Sequence, residues 1–478
     1  MASAIAAFVP ASAVHANVGD LDGDGDTDIR DFASLVACLA GPSEAIPAGC
    51  DTSDLNTDLH VDLRDVAAFQ IAFAPPTGIL STSPTNGERD VALTRETIIT
   101  VRGTVDAATV SGNDVFASFG GEKIPALLRV TPDGKRIKLF YNSPLPASAR
   151  VRVTVDGTNI NDGFGNALDA DGDGVPGGIA TFDFDTCSTT RIPNTNVFGY
   201  VFASERQGPG GENVPIGGVT IRADGMPELF AVTDENGFFQ LQNTPAPLFF
   251  VHVDGTTATS VGGGAIPGGG FYPNVGKPFH SSAGHTVQIS MDNEPFDIFL
   301  PLIADNSLVS LIPDQPTEIG LSPEGKARLA ELFPDLDPAS FDALRLTIPA
   351  NSLTNDDGTP GGMAGIFPVD STRLPAPLGD GTVHAFDITI QTDGASNFDI
   401  LAQICFPNVP DPVTGEVLPP GGKTGLVSFN HDTGRWEFRG LMTVSEDGTV
   451  VCPDEGVGIA APWLAWKFRP PGGPPAAL

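Results

Sequence analysis

Glycine and proline punctuate this chain from end to end, with 56 of the first and 43 of the second in 478 residues. Glycine admits positive φ, and proline fixes φ and removes a donor, so both interrupt regular structure. Yet hydrophobic residues make up 41% and phenylalanine alone numbers 30, unlike the aromatic-poor composition of disorder. Many short strands joined by Gly/Pro turns satisfy both facts. The expected fold class is mainly β and multidomain, and the length fits roughly three or four domains.

Charge narrows the partners. Lys and Arg number 25 against 59 Asp and Glu, a formal net charge of −34. Phosphate backbones and anionic membrane surfaces would repel such a chain, so no nucleic-acid partner is expected. No apolar run reaches about 18 residues, so no membrane insertion by a helix is expected.

The first 16 residues, MASAIAAFVPASAVHA, are small and apolar and lack Lys and Arg. Val14-His15-Ala16 reads as a cleavage site, so residues 1–16 are expected to be a signal peptide or leader and the protein to be secreted or on the cell surface. Cys38 with Cys50 and Cys405 with Cys452 read as two extracellular disulfides, with Cys187 left over. Buried reduced thiols are the alternative.

Asp20 to Asp31, DLDGDGDTDIRD, places carboxylates at positions 1, 3, 5, 9 and 12 of a twelve-residue loop: Asp20, Asp22, Asp24, Asp28 and Asp31. Gly25 takes the sharply turned position 6, and Asp26 offers its carbonyl at position 7. Hard oxygen donors at this spacing suit Ca2+. Phe32, Leu35, Val36 and Leu39 then recur at helical spacing, and Gly41-Pro42 stops the helix. The pattern returns 34 residues later as DLNTDLHVDLRD, with Asp54, Asn56, Asp58, the His60 carbonyl, Asp62 and Asp65. A second helix with Val66, Phe69, Gln70, Ile71 and Phe73 follows. Leu59 replaces glycine at position 6, at a cost of order 1–2 kcal/mol in the left-handed region. The second loop is read equally as a weakened calcium site and as a solvated acidic loop.

Residues 17–76 resemble a dockerin domain, an EF-hand-like pair, and the Cys38…Cys50 insert is similar to the variant in planctomycete surface proteins. The resemblance implies folding on calcium and docking to a cohesin-like protein. It places recognition at loop positions 10 and 11, here Ile29, Arg30, Leu63 and Arg64. These are not the small hydroxyl residues frequent in cellulosomal dockerins.

Residues 78–187 alternate β-rich runs with turns: Thr97–Val101, Asp114–Phe119, Ala126–Val130, Arg136–Phe140, Arg150–Val155 and Thr181–Phe184. Asp133-Gly134 predicts a hairpin turn. The opening STSPTNGERDVALTRETIITV and the late DGFGNALDADGDGVPGGIATFDF resemble bacterial Ig-like domains of surface-layer type, which implies a spacer or adhesive unit. Asp169, Asp171 and Asp173 resemble half a calcium loop, but position 12 is Ala180, so a weak site and a plain acidic turn read equally. Residues 195–300 resemble the transthyretin-like carboxypeptidase regulatory modules, through NVFGYVF, PIGGVTIRADG and the turn Thr233–Phe239. There Asn236-Gly237 predicts a tight turn, with Phe239 and Leu241 pointing inward. Gly262–Gly270 lacks a following helix, so it is no phosphate loop, and His252, His280 and His285 lack metal-site spacing.

Residues 301–468 begin with a helix capped at Ser322-Pro323-Glu324, a further turn near Pro338–Leu344, then strands. They resemble β modules that precede repeat shells in bacterial surface and teneurin-like proteins. Residues 469–478, RPPGGPPAAL, read as a linker, either leading into a longer chain or carrying nothing. No G-x-S-x-G, H-E-x-x-H or P-loop occurs, and Cys405 has no supporting spacing to His384 or His431. His431–Trp436 is read as a hairpin turn followed by a packed Trp. The expectation is a small all-α calcium-binding domain followed by three β-sandwich modules, non-catalytic and acting in adhesion or assembly, with the β modules as a stalk. The alternative is a component of a polysaccharide-degrading assembly, with Trp463 and Trp466 as exposed aromatics.

Overall fold

The computed structural model describes residues 19–21, 27, 29–73, 76–208, 210–291, 294–304, 307–312, 314–354, 361–374, 387–393, 397–411, 414–460 and 464–468. The chain divides into two compact units, Met1–Pro76 and Thr77–Leu478. The leader reading and most of the first acidic loop (Asp22, Asp24, Asp26 and Asp28) lie outside the described residues.

The first unit holds helices α1 (Ile29–Cys38) and α2 (Leu63–Phe73). Its small core is Leu35, Val61 and Phe69, with Leu21, Phe32, Leu55 and Val66 packed around them. The Phe32 and Phe69 rings meet at 5.6 Å. Ala40 and Gly41 N–H groups both donate to the Val61 carbonyl, at 3.0 and 3.2 Å, tying the first half to the second. A Cys38–Cys50 disulfide closes the connection between them. So small a core gains from such a cross-link, worth about 3 kcal/mol by loop entropy. Two residues of the expected apolar face of α1 differ: Val36 is 47% and Leu39, just past the helix, 38% exposed.

Among its described residues the second unit is β apart from α3 (Pro323–Leu332) and short 3-10 turns. Two four-stranded antiparallel sheets come first, ordered Ile79–Ser83, Thr97–Val101, Arg136–Tyr141, Ala126–Val130 and Glu122–Lys123, Val115–Phe119, Arg150–Asp156, Ile179–Asp185. Their inward residues, among them Ile99, Ile137, Val151, Val153 and Phe184, form one core. Gly134, at φ 68°, turns the hairpin between Val130 and Ile137 as predicted.

A second pair of sheets follows. The long strand Asn196–Gln207 pairs with Phe238–Gln242 and Asn213–Gly217, and in parallel with Thr286–Gln288 and Ile298–Leu300. The facing sheet runs Phe230–Val232, Thr220–Ala223, Leu248–Asp254, Asn274–His280. Phe239 and Leu241 point inward, onto Phe249, Tyr272 and Phe279. Asn236-Gly237 does turn the chain, but not into a hairpin. Phe230–Val232 and Phe238–Gln242 on its two sides belong to different sheets.

Residues 309–468 contribute ten strands to one hydrogen-bonded path. Residues from along that path (Ile319, Leu346, Ile366, Ile390, Ile404, Leu426, Met442 and Val451) share one core, so this sheet wraps its own interior. Cys405 and Cys452 are disulfide-bonded across neighbouring strands.

The three β regions are not strung out singly. Asp399, fully buried in the third, meets Lys138 of the first at 2.5 Å and Arg129 at 3.2 Å. Arg136 donates to the Phe398 and Asp399 carbonyls. Asp224 of the second accepts from the Leu93 N–H and, at 2.9 Å, from the Thr94 hydroxyl of the first. His431 of the third reaches the Gly276 carbonyl of the second at 3.2 Å. Each region contacts both others, which corrects the expectation of a simple stalk.

Candidate metal centre

The second acidic loop is described throughout. Carboxylate oxygens of Asp54, Asp58 and Asp65 lie within 4.8 Å of one another. Asp65, the first turn of α2, is fully buried. Its Oδ1 accepts the Leu55 and Asn56 N–H groups at 2.8 and 3.2 Å, and its Oδ2 accepts that of Asp62 at 2.8 Å. Asp54 accepts Asp58 and Leu59 N–H groups at 3.1 and 2.9 Å. The Asn56 Oδ1 accepts the Asp58 N–H at 2.9 Å, and Asp58 accepts that of His60 at 3.1 Å. These bonds wrap the backbone around its own carboxylates, which holds side chains 1, 3, 5 and 12 of the loop inward. Asp62 instead accepts the Arg64 N–H at 2.7 Å and so caps α2.

The backbone follows the turn expected at position 6: Leu59 has φ 70°, and Thr57 before it φ 60°. The loop therefore keeps the shape a glycine would allow and carries the strain of doing so. Arg64 Nη1 lies 3.3 Å from Asp58 Oδ2 and offsets part of the acidic charge. His60 turns its ring outward to the Glu44 carbonyl, at 2.9 Å. Leu59 and Leu63 stand 74% and 78% exposed. Leu63 was expected at the surface from its position 10. Leu59 is exposed because a residue at a tight turn has no core to face.

The described residues of the first loop show a matching feature. The Leu21 N–H donates to Asp31 Oδ1 at 2.6 Å, 34 residues before its Leu55–Asp65 counterpart, and Asp31 is fully buried. Asp20 is half-buried.

Asp169, Asp171 and Asp173 also bring carboxylates together. Asp169 accepts Gly172 and Gly174 N–H groups, both glycines having positive φ. Ala180 lies within the strand Ile179–Asp185, so the chain enters the sheet where a second half-loop would stand.

The remaining candidates separate. Cys405 is in a disulfide, and His384 lies outside the described residues. His431 is buried, and burial with the nearby Lys277 ammonium holds its imidazole well below the usual histidine range. Asp432–Gly434 make the expected turn, and Trp436 packs on Phe429 at 5.2 Å. His252 bonds Asp224, at 2.9 Å. Burial, with Asp90 and Asp224 nearby, pushes the Cys187 thiol up to about 12, which keeps it protonated and inert. Gly262–Gly270 contains a 3-10 turn and an isolated bridge from Gly264 to Val261. Trp463 lies outside the described residues, and Trp466 is on the strand Leu464–Phe468. No described helix is long and apolar enough to cross a membrane.

No curated protein matches the chain in sequence. Among solved structures, the N-terminal part of the bacterial S-layer protein SbsC is 14% identical, over 51% of this chain and 53% of that one, with a TM-score of 0.21. This chain thus spans about half of that one. A longer form, rSbsC(31-844), is 10% identical over 86% and 71%, with a TM-score of 0.19. PcoC, a methionine-rich copper resistance protein from Escherichia coli, is 13% identical over 23% and 98%, with a TM-score of 0.18. The family model described as bacterial Ig-like domain matches residues 74–186, so the stretch that builds the first two β-sheets is Ig-like.

Proposed function

We propose that this is a secreted or cell-surface, non-catalytic protein that docks to a cohesin-like partner through a calcium-held N-terminal unit. The observation that carries the reading is the inward set of Asp54, Asp58 and Asp65 oxygens beside the exposed Leu59 and Leu63. The donors are all oxygen, as a hard cation requires. Asp54, Asn56, Asp58, the His60 carbonyl and Asp65, with Asp62 beside them, would hold Ca2+ in the second loop. Asp20, Asp22, Asp24, the Asp26 carbonyl, Asp28 and Asp31 would hold it in the first, where glycine at position 6 carries no strain. The bound cation supplies positive charge that neutralises crowded carboxylates and ties each loop to its helix. Leu59, Leu63 and Arg64 then form a fixed apolar and basic edge for the partner. The Ig-like match supports an extracellular setting, and the Cys38–Cys50 and Cys405–Cys452 bridges fit an oxidising compartment.

Calcium titration of the full chain by calorimetry, with capture of an immobilised cohesin module, tests the reading. We expect heat of binding and capture that chelator abolishes. Absence of heat, or capture indifferent to chelator, would overturn it.

A further inference from the structure

The strand Asn196–Gln207 divides its side chains between two faces. Val197, Val201 and Ala203 are fully buried in the core of the second β region. Alternation sends Phe198, Tyr200 and Phe202 to the opposite face, where all three are half-buried. Neighbouring strands add two rings in register, Phe238 opposite Tyr200 and Phe299 opposite Phe202. The five rings touch in one unbroken row. Centroids are 6.0 Å apart for Phe198 and Phe238, 5.5 Å for Phe238 and Tyr200, 5.9 Å for Tyr200 and Phe202, and 6.0 Å for Phe202 and Phe299. The Tyr200 and Phe202 planes differ by only 4°. Gln240 and Gln288 flank Phe198 from the strands on either side. Neither amide side chain is hydrogen-bonded among the described residues. The sheet is mixed, with Asn196–Gln207 paired both ways, and a contiguous aromatic row on the face away from its core marks a candidate binding surface.

We propose that this row is a binding platform for an uncharged polysaccharide. From Phe198 to Phe202 the row runs roughly 13 Å along the strand, at about 3.3 Å per residue. A row, unlike a pocket, suits a ligand that repeats along its length. A sugar ring offers a face of C–H bonds to an aromatic ring and a rim of hydroxyls to amides such as Gln240 and Gln288. Single-stranded nucleic acid also stacks on such rings. The net charge of −34 opposes its phosphates, and opposes acidic glycans for the same reason. The rings brace one another, so little freedom is lost when a ligand lies on them. This site is remote in sequence from the acidic loops and does not rest on the docking reading.

Affinity electrophoresis of the full chain through gels containing hydroxyethylcellulose, mixed-linkage β-glucan, galactomannan or starch tests the proposal. We expect retardation by at least one polymer, equal with calcium and with chelator. Tyr200→Ala and Phe238→Ala should each weaken it about fivefold or more. Tyr200→Phe should retain it, and so should Phe164→Ala, at a 70% exposed ring in the Ig-like part. Circular dichroism checks that the variants stay folded. Retardation by none of the polymers, or undiminished in Tyr200→Ala, overturns the proposal. So does sedimentation showing a dimer that Tyr200→Ala dissociates, because the row would then be an interface between copies. Chelator sensitivity separates the two readings, since the docking unit can fail while the platform binds.

Discussion

Under the proposed docking function, Leu59 would serve two opposing ends. Its φ of 70° costs the loop of order 1–2 kcal/mol, yet its side chain is among the most exposed apolar groups of the unit. Leu59→Gly should therefore tighten calcium at the second loop by about fivefold while weakening capture by the partner. Calorimetry and pull-down on the same variant measure both, and weaker calcium binding would contradict the strain account. Lys277 is a second residue whose chemistry is set by its surroundings. It is 2% exposed, with the Phe296 and Phe429 rings 4.8 and 5.5 Å from its ammonium. Burial pulls its pKa down to about 7. The unfolded chain keeps that proton until about pH 10, so in the interval folding releases it. Stability of the β unit should rise with pH through this window, by at most about 1.4 kcal/mol per pH unit, and fall as pH drops towards 7. Burial likewise depresses His431, so its protonation in the unfolded chain lowers stability further as pH falls below the ordinary histidine range. Urea midpoints at pH 7 and 9 should differ in the wild type and converge in Lys277→Met. An unchanged slope in the variant would place the dependence elsewhere.

Elements differed in how far they could be read from their own residues. Thr97–Val101 and Ala126–Val130 form over the stretches expected, because short runs of β-branched and apolar residues stand between clear turn signals. The helix after Ser322 also forms where its cap and proline indicate, with the Ser322 hydroxyl accepting the Gly325 N–H at 3.0 Å. The Asn236-Gly237 turn was legible as a turn, but its connectivity was not. Local sequence sets the sharpness of a bend, whereas partners distant in sequence decide which sheet each arm joins. The same limit explains Val36 and Leu39. They have helical spacing, but a core of three fully enclosed residues is too small to cover them.

The molecule comprises two compact units of very different size. Differential scanning calorimetry of the full chain should show two transitions. Chelator should lower the smaller one and leave the larger in place; a single transition, or a shift in both, would refute this division. The larger should be cooperative across all three β regions, because Asp399, Asp224 and His431 tie them together from buried positions. Breaking the buried Asp399–Lys138 ion pair typically costs about 3–5 kcal/mol. Sequence alone determined the β-rich class, the acidic loop repeat and the two cysteine pairs. Each of these depends on composition, or on spacing and residue chemistry. Tertiary structure alone decided the junction of Asp399 with Lys138 and the row from Phe198 to Phe299. Both join residues far apart in the chain, and no local pattern records which strands will lie side by side.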